Sequence, residues 1–536
     1  MKNSNPLLKI LLPIIISVSI VIGITIGRML PPMPRVVQQI SSKLRSDKIN
    51  SILNIVEAKY VDTVNRAQLV EKAIPEILRR LDPHSVYIPA KDLARANEPL
   101  RGSFEGIGIS FNMMTDTILV ISALSGGPSE KLGMLPGDKI IYINDSLVAG
   151  KKIPEDNVVG MLKGPKGTTV NVKVLRSGHN EFISFDITRD VIPIYSVDVD
   201  YMVNENTGYI KINSFTVTTY EEFMRGMRNL LNQGMKNLII DLRGNSGGVM
   251  EAAVRIANEF LAEKQLIVYT MGRTQPRTET KANGRGSFQT GDLVILIDEY
   301  SASASEILAG AIQDNDRGTI IGRRSYGKGL VQEPITFSDG SGMRLTIARY
   351  YTPTGRSIQK PYDEGFEKYY GDIVERFQHG EFLVLDSIKF VDSLKFTTPG
   401  GRIVYGGGGI MPDKFVAADT TTTSPYYAKV RQLIYRFAMR YTETHRETLK
   451  KYDTADELGK YLDRQSLIPQ FVEFAEQNNV RRDNAGLRTS EKIIHTQLKA
   501  YIARNILDNK GFYPILGEVD TTLKFAIEYL KSDNKN

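Results

Sequence analysis

The 536-residue sequence contains no cysteine and only five histidines. The absence of cysteine excludes disulfides, thiol nucleophiles, thiolate metal sites and a lipid anchor on cysteine. An extracytoplasmic location stays open, because large domains are stable without disulfides. A strong charge of one sign is also missing: the net charge is +7, and Lys and Arg are dispersed among Asp and Glu. The sequence therefore lacks the basic footprint of a nucleic-acid-binding protein.

One hydrophobic run, residues 10–27, stands near the N-terminus, and it is uncharged and long enough to cross a bilayer. No small-x-small cleavage pattern follows it, and Pro31 and Pro32 come next, so it predicts an uncleaved membrane anchor rather than a removed signal peptide. Basic residues after the run outnumber those before it, which by the positive-inside rule argues against an outside C-terminus. Charge alone leaves the topology open.

The length and the 41% hydrophobic content predict several domains with sizeable cores. After an anchor and linker at residues 1–35, residues 36–100 have helical periodicity, with Ile49, Ile52 and Ile55 on one face. A proline-bounded turn at residues 81–89 contains His84. We predict a packing role for His84 rather than a catalytic one, because no nearby serine or acid completes a triad.

Residues 101–190 predict a small β-rich domain with short strands separated by glycine-containing turns. The stretches 106–109, 123–129 and 135–144 resemble the motifs of a PDZ domain. This resemblance implies that a peptide's terminal carboxylate binds the backbone N–H groups of one glycine-rich loop, while the peptide adds a strand beside a helix. That loop consists of Gly106, Ile107, Gly108 and Ile109. A small barrel that serves only as a spacer is the alternative.

Residues 191–420 alternate between strand and helix patterns, which predicts an α/β core with its functional loops at strand ends. We expect a strand at 238–241, then a glycine-rich loop and a helix at 249–261, and later a strand at 293–297 and a helix at 304–314. Residues 421–536 are charged and helical in pattern, and they contain no motif with an evident chemistry.

The stretch 301–306 (SASASE) joins the strand at 293–297 to the helix at 304–314. A serine at such a junction lies near unpaired backbone N–H groups and the positive end of a helix, where an oxyanion is stabilised. Lys328 follows and can serve as a base if burial lowers its pKa. The spacing Ser303-x-x-Glu306 also fits a capping box, and capping is the commoner use of this pattern.

Two further motifs compete for the chemistry. Gly244-x-Ser246-x-Gly248 has the form of an α/β-hydrolase nucleophile elbow, which requires an acid and then a histidine downstream. The downstream histidines, none in a convincing loop after a strand, are His379, His445 and His495. Residues 322–328 resemble a Walker A loop, but glycine replaces the metal-binding Ser or Thr at 329 and the next residues are not helical, so we reject an NTPase.

Taken in order, the motifs resemble those of the carboxy-terminal processing peptidases, tail-specific serine proteases with a Ser–Lys dyad. The matching stretches are 81–87, 106–144, 241–248, 301–306 and 326–332. The resemblance implies that Ser303 is the nucleophile, Lys328 the general base and Gln332 the residue that orients it. The amide of Ala304, with that of Gly247 or Gly248, would form the oxyanion hole. Glu306 is either catalytic or only a helix cap. Ser246 stands where the family often has another residue, such as proline, which argues against the nucleophile elbow.

The fold class expected is therefore multidomain α/β: an N-terminal membrane helix, a helical segment, a PDZ domain, a protease core at 191–420 and a helical C-terminal extension at 421–536. The resemblance implies a membrane-anchored endopeptidase without a metal or cofactor. Its substrates would be extracytoplasmic proteins with free apolar C-termini, on the periplasmic side of a bacterial inner membrane. A homo-oligomer or an adaptor protein is a possible partner. The alternative function is a non-catalytic PDZ adaptor that binds protein C-termini.

Overall fold

The computed structural model describes residues 48–114, 116–124, 126–388 and 391–533. The predicted membrane anchor at residues 10–27 lies outside these ranges. Within the described residues, no helix combines the length and the apolar character that a membrane crossing requires.

The described residues divide into two compact units, one ending at residue 76 and the other beginning at residue 77. The first unit contains helix α1 (Lys48–Lys59) and most of helix α2 (Arg66–Leu78). The Arg66 guanidinium connects the two helices by donating to Asn54 Oδ1 at 2.6 Å and to Asn50 Oδ1 at 2.9 Å. Helical periodicity around Ile52 is thus confirmed, although the apolar face of α1 is exposed.

In the second unit the proline-bounded turn leads into a strand that the sequence pattern did not predict, β1 (Val86–Ile88). It pairs antiparallel with a strand of the core, Val86 lying opposite Arg344 and Ile88 opposite Gly342. Helix α3 (Ala90–Arg101) follows and ends at Gly102, whose φ of 68° lies in the left-handed region that glycine adopts most readily.

The PDZ-like domain comes next. Its elements are β2 (Ser103–Gly106), β3 (Ile109–Met114), β4 (Thr117–Ala123), α4 (Pro128–Lys131), β5 (Lys139–Ile143), β6 (Ser146–Leu147), α5 (Glu155–Leu162), β7 (Thr169–Leu175), β8 (Ile183–Thr188) and β9 (Asp190–Pro193). The main sheet has the order β3-β4-β5-β7-β8, with β6 beside β5, and β2 pairs with β9. Alternate residues of β7 are buried, as a strand with one face on a core requires.

The α/β core follows. Its strands are β10 (Val197–Met202), β11 (Thr207–Ile212), β12 (Asn237–Asp241), β13 (Leu266–Met271), β14 (Thr278–Lys281), β15 (Leu293–Ile297), β16 (Thr319–Gly322), β17 (Leu330–Thr336), β18 (Gly342–Tyr351), β19 (Lys395–Thr397), β20 (Ile403–Tyr405) and β21 (Lys414–Phe415). Its helices are α6 (Thr219–Asn232), α7 (Met250–Asn258), α8 (Ala304–Asp314) and α9 (Phe366–Gln378). The strand and helix expected around the serine cluster are confirmed, whereas the helix expected at 249–261 is shorter.

Two sheets organise this core. The larger has the order β10-β11-β12-β15-β16-β21 and is parallel except at β10. The smaller has the order β1-β18-β13-β14, with β17 also paired to β18. The parallel strands end beside the glycine-rich loop at 244–248 and the serine cluster, so the expected placement of functional loops at strand ends is confirmed.

The C-terminal region is helical as expected. Its helices are α10 (Pro425–Leu449), α11 (Ala455–Asp463), α12 (Leu467–Gln477), α13 (Asn484–Leu507), α14 (Asn509–Leu516) and α15 (Thr521–Asp533). Helices α10 to α14 enclose a hydrophobic core of their own. Helix α15 instead packs on the larger sheet of the protease core, through Leu523, Ala526 and Leu530.

Alternate residues along the central strand β15 face two different layers of helices. Leu293, Ile295 and Ile297 of β15 pack with α6, α7 and α8, whereas Val294 and Leu296 pack with α15. The continuous apolar run of β15 is therefore explained by burial on both faces.

Candidate active site

The three serines of the cluster at 301–305 have different environments. Ser301 and Ser305 are fully buried, and their hydroxyls donate to the backbone carbonyls of Leu242 and Asn245, each at 2.9 Å. These bonds attach the cluster to the glycine-rich loop after β12. Ser303 is only half-buried and begins helix α8 as its N-cap. Of the three, Ser303 is therefore the serine that a substrate can reach.

The backbone of Ser303 is strained, with φ 56° and ψ −113°. Positive φ is uncommon for a residue with a Cβ, and such strain is concentrated at functional sites. The amide of Ala304, the first residue of α8, points out of the helix N-terminus, where negative charge is stabilised. Ser303 is thus presented beside a ready-made anion site.

Glu306 is buried and connects Ser303 to Lys328. Its Oε2 accepts hydrogen bonds from the backbone N–H groups of Ser303 at 2.8 Å and Lys328 at 2.9 Å. Its Oε1 accepts from Ser325 Oγ at 2.5 Å and from Gly327 N at 2.7 Å. Burial raises the pKa of Glu306 to about 7, against the effect of these four hydrogen bonds. The predicted capping box is present, but the carboxyl group also binds the lysine loop.

Tyr350 makes a second connection between the same two residues. Its hydroxyl, on a buried ring, lies 3.0 Å from the carbonyl oxygen of Ser303 and 2.5 Å from that of Lys328. Sequence reasoning missed Tyr350, because an aromatic residue in a strand is ordinary and nothing in its neighbourhood marks it.

Lys328 is half-buried, and burial lowers the pKa of its amine while the nearby Glu306 carboxylate partly opposes the shift. Its Nζ donates to Gln332 Oε1 at 3.4 Å. Gln332 Nε2 in turn donates to the backbone carbonyl of His84. The structure therefore brings Lys328 and Gln332 into contact, as the sequence implied, and adds the turn around His84 to the site.

The glycine-rich loop packs against the serine. Gly247 has a φ of 99°, and a Cβ built on it would lie 2.6 Å from Ser303 Cβ and 2.9 Å from the nitrogen of Ala304. Its own N–H donates to Asn245 Oδ1 at 2.8 Å. Among the described residues, the amides of Ala304 and Gly248 have no hydrogen-bond acceptor. Of the two glycines considered for the oxyanion hole, Gly248 is thus the one with an available amide.

Ser246 lies exposed in the same loop. His445 stacks on Tyr441 of α10, and His495 faces Asp463 in the C-terminal region. Among the residues described, no hydrogen bond joins Ser246 to a histidine. The structure thus offers no support for the nucleophile elbow. The Walker A alternative also fails, because Lys328 leads into strand β17 rather than into a helix.

A buried ion network supports the base of the glycine-rich loop. Asp241 is buried, and although burial opposes the shift, Arg243 and Lys211 hold the pKa of its carboxyl below the usual range. Arg243 donates further to both carboxylate oxygens of Asp520, at 2.6 and 2.9 Å. Asp520 immediately precedes α15, and its role had no signal in the sequence because the partners are far apart along the chain.

The predicted peptide-binding loop of the PDZ-like domain connects β2 and β3. The carbonyl of Ile107 accepts from the backbone and side chain of Ser129 at 3.2 and 2.6 Å. Gly108 has a φ of 73°, and its carbonyl oxygen accepts a hydrogen bond from Leu124 N at 2.9 Å. Gly106 and Ile109 end and begin the flanking strands. The loop is held from one side, as a backbone cradle for a carboxylate requires.

Models of three known families match parts of this chain. The profile of Peptidase family S41 matches residues 206–367, a PDZ domain matches residues 106–187, and a family of unknown function matches residues 426–508. The carboxy-terminal-processing protease of Bartonella bacilliformis is 35% identical over 322 residues, which cover 58% of this chain and 72% of the relative. The chain belongs to the carboxy-terminal processing protease family of serine peptidases.

Two further relatives complete the comparison. Carboxy-terminal processing protease CtpB of Bacillus subtilis is 34% identical over 319 residues, and the match spans 59% of this chain but 65% of the relative. The solved structure of a photosystem II D1 C-terminal processing protease is 26% identical, with 70% of this chain and 88% of that chain covered and a TM-score of 0.36.

Proposed function

We propose that this protein is an endopeptidase that captures the free C-terminus of a protein on its PDZ domain and cleaves the chain at Ser303, with Lys328 as the general base. One observation carries the proposal. The strained, accessible Ser303 at a helix N-terminus is held, through Glu306 and Tyr350, beside a lysine whose pKa is lowered by burial.

The chemistry requires Lys328 to be neutral, because only a neutral amine accepts a proton. The unperturbed pKa of lysine is about 10.4, so the desolvation of Lys328 acts in the direction that the reaction needs. Neutral Lys328 takes the hydroxyl proton of Ser303 as Oγ attacks the scissile carbonyl. The proton then passes from Lys328 to the departing amine, and water hydrolyses the acyl-enzyme with Lys328 again acting as base.

The oxyanion of each tetrahedral intermediate would be stabilised by the amides of Ala304 and Gly248. The helix dipole of α8 favours the same negative charge. Gly247 contributes by its lack of a side chain, since a Cβ there would meet the Ser303 Cβ. Gln332 would orient Lys328 by accepting one of its N–H groups.

The loop of Gly106, Ile107, Gly108 and Ile109 would bind the terminal carboxylate of the substrate, and the tail would add as a strand beside α5. A free apolar C-terminus is then the recognition element, and the internal peptide bond is the site of cleavage. The uncharged run at residues 10–27 supports a membrane anchor. We further propose extracytoplasmic substrates, because the family resemblance implies catalytic domains outside the cytoplasm.

The test is cleavage of an unstructured protein with an apolar C-terminus by the full chain in mild detergent. Wild type, Ser303→Ala, Lys328→Ala and Ser246→Ala are compared, and thermal unfolding verifies that each variant is folded. We expect the first two changes to lower kcat at least about a thousand-fold, as loss of a nucleophile or base does. The exposed Ser246 is the matched serine control, and its replacement is expected to leave most of the activity.

Loss of activity only in Ser246→Ala would move the nucleophile to the glycine-rich loop. Binding of the tail without cleavage by wild type would favour the non-catalytic adaptor. A substrate whose last residues are changed to aspartate tests the PDZ step separately, because it should raise KM and leave the chemistry of Ser303 intact.

A further inference from the structure

The turn formed by residues 82–85 lies against Gln332, which donates to the His84 carbonyl oxygen. We propose that this turn is a positioning element of the active site, with Asp82 as the positioning residue. It holds the His84 carbonyl so that the side-chain oxygen of Gln332, and not its NH₂ group, faces Lys328. The proposal rests on the proposed function of Ser303 and Lys328.

The two ends of the Gln332 amide have different partners. A backbone carbonyl can only accept a hydrogen bond, so the contact with the His84 oxygen requires the NH₂ end of Gln332. The oxygen end is then directed at Lys328 Nζ, at 3.4 Å. The orientation of this amide is therefore set by a residue that is far away in sequence.

The orientation matters for a lysine base. With the oxygen of Gln332 facing it, neutral Lys328 donates one N–H to Gln332 and keeps its lone pair free for the Ser303 proton. With the amide reversed, the NH₂ group would donate into that lone pair and block the base. The His84 carbonyl thus excludes the unproductive orientation.

Asp82 fixes the position of that carbonyl. Its buried carboxylate accepts from the backbone N–H groups of His84 and Ser85, each at 2.8 Å, and from Ser85 Oγ at 2.6 Å. The hydroxyl of Thr346 donates to the same carboxylate at 3.1 Å, and Thr346 N donates to Ser85 Oγ at 3.1 Å. Thr346 lies directly opposite Gln332 in the β17–β18 pair. The β17–β18 strand pair therefore positions both the turn and Gln332.

Helix α9 holds the turn from the other side. Tyr370 OH donates to the Pro83 carbonyl at 2.8 Å, and His84 Nε2 lies 2.8 Å from Tyr369 OH. Burial and the positive charge of Lys328 lower the pKa of His84 to about 4. The ring is therefore neutral at ordinary pH and adds no second cation beside the lysine.

A double-mutant cycle with Asp82→Asn and Gln332→Ala tests the proposal, because a turn that acts through Gln332 has no effect once that side chain is absent. In the full chain we expect Asp82→Asn to lower kcat at least tenfold and to change KM less than twofold. Gln332→Ala should lower kcat by a similar factor, and the double variant should match Gln332→Ala within about threefold. If turnover by Gln332→Ala is too slow to follow, labelling of Ser303 by a fluorophosphonate probe gives the same comparison.

Asp339→Asn is the matched control. Asp339 makes the same kind of contact at the far end of the β17–β18 hairpin, accepting from Ser341 N at 2.9 Å and Ser341 Oγ at 2.7 Å, without touching Gln332. Its replacement should leave kcat within twofold of wild type. If Asp82→Asn does not fold, Thr346→Val takes its place in the double-mutant cycle, because this variant removes only one hydrogen bond to the Asp82 carboxylate.

The outcomes separate the two proposals. If Asp82→Asn lowers kcat by the same factor in the wild-type and Gln332→Ala backgrounds, the positioning role is overturned. The proposed function would still stand in that case, provided that Ser303→Ala and Lys328→Ala are inactive. Full activity of Gln332→Ala would also overturn the positioning role of the turn. Activity in Lys328→Ala would instead refute the function on which the inference rests.

Discussion

At the scale of single residues, Glu306 shows how one side chain can satisfy two interpretations of a motif. The spacing to Ser303 indicates a cap, and the cap is present. The same carboxyl also receives the backbone N–H groups of Gly327 and Lys328. It therefore connects the helix that presents the proposed nucleophile to the loop that presents the proposed base.

The raised pKa of Glu306 predicts a pH dependence of stability. In the unfolded chain this group loses its proton near the ordinary glutamate pKa of 4.5, whereas in the folded protein burial raises the pKa to about 7. Between these values the folded state binds more protons, so the contribution of Glu306 to the free energy of unfolding is fully present below pH 4.5 and is lost as the pH rises to 7. We expect a loss of up to about 3 kcal/mol.

Urea unfolding of wild type and Glu306→Gln between pH 4.5 and 8 measures this contribution. Glutamine does not titrate, so the difference in stability between the two proteins should change over the pH 4.5–7 interval. A difference that stays constant across that interval would show that Glu306 is ionised throughout and that its four hydrogen bonds outweigh its burial.

At the scale of elements, the glycine-rich loop and the N-terminus of α8 fit together only because a side chain is missing. A Cβ on Gly247 would meet Ser303 Cβ at 2.6 Å and the Ala302 carbonyl oxygen at 2.7 Å. The loop must therefore shift away from Ser303 if this residue gains a side chain, and the proposed oxyanion amide of Gly248 moves with it.

Gly247→Ala is expected to lower kcat about a hundred-fold or more, the size of effect that follows loss of an oxyanion donor. Gly244→Ala is the matched control in the same loop. Gly244 also has positive φ, 72°, but its Cβ would meet no atom within 4 Å. It should therefore cost about 1 kcal/mol of stability from backbone strain and little activity. Equal activity of the two variants in peptide cleavage would contradict the steric argument.

Secondary structure near the site was largely predictable at this scale, because strand β15 and helix α8 have strong and distinct periodicities. The strand β1 was not. The apolar run Val86–Ile88 is too short to predict a strand from the sequence. It forms one only because it pairs with β18, where Val86 lies opposite Arg344. The residues around Val86 carry no information about this pairing, because β18 is more than two hundred residues away in the sequence.

At the scale of the whole molecule, the last helix belongs to the protease core and not to the helical domain before it. Leu523, Ala526 and Leu530 of α15 cover the face of the larger sheet that carries Val294 and Leu296. Asp520, just ahead of the helix, pairs with Arg243 at the base of the glycine-rich loop. The end of the chain therefore supports both the sheet and the candidate site.

We expect Leu523→Ala to lower the free energy of unfolding of the core by about 2–4 kcal/mol, the usual cost of emptying a buried leucine position. Phe525, on the same helix, is 39% exposed, so Phe525→Ala should cost less than about 1 kcal/mol. Circular dichroism during urea unfolding compares the two. Similar costs would mean that α15 contributes little to the core.

The order of domains and the strand and helix around the serine cluster were predictable from the sequence, because periodicity and motif order are properties of neighbouring residues. The candidates Ser303, Lys328 and Gln332 came from the resemblance of those ordered motifs to a known family. Tertiary structure alone decided which groups surround them. Tyr350, the His84 carbonyl and Asp520 reach the site from distant parts of the chain. Their contributions depend on strand register and helix packing, which place residues from 22 to 277 positions apart within hydrogen-bond distance.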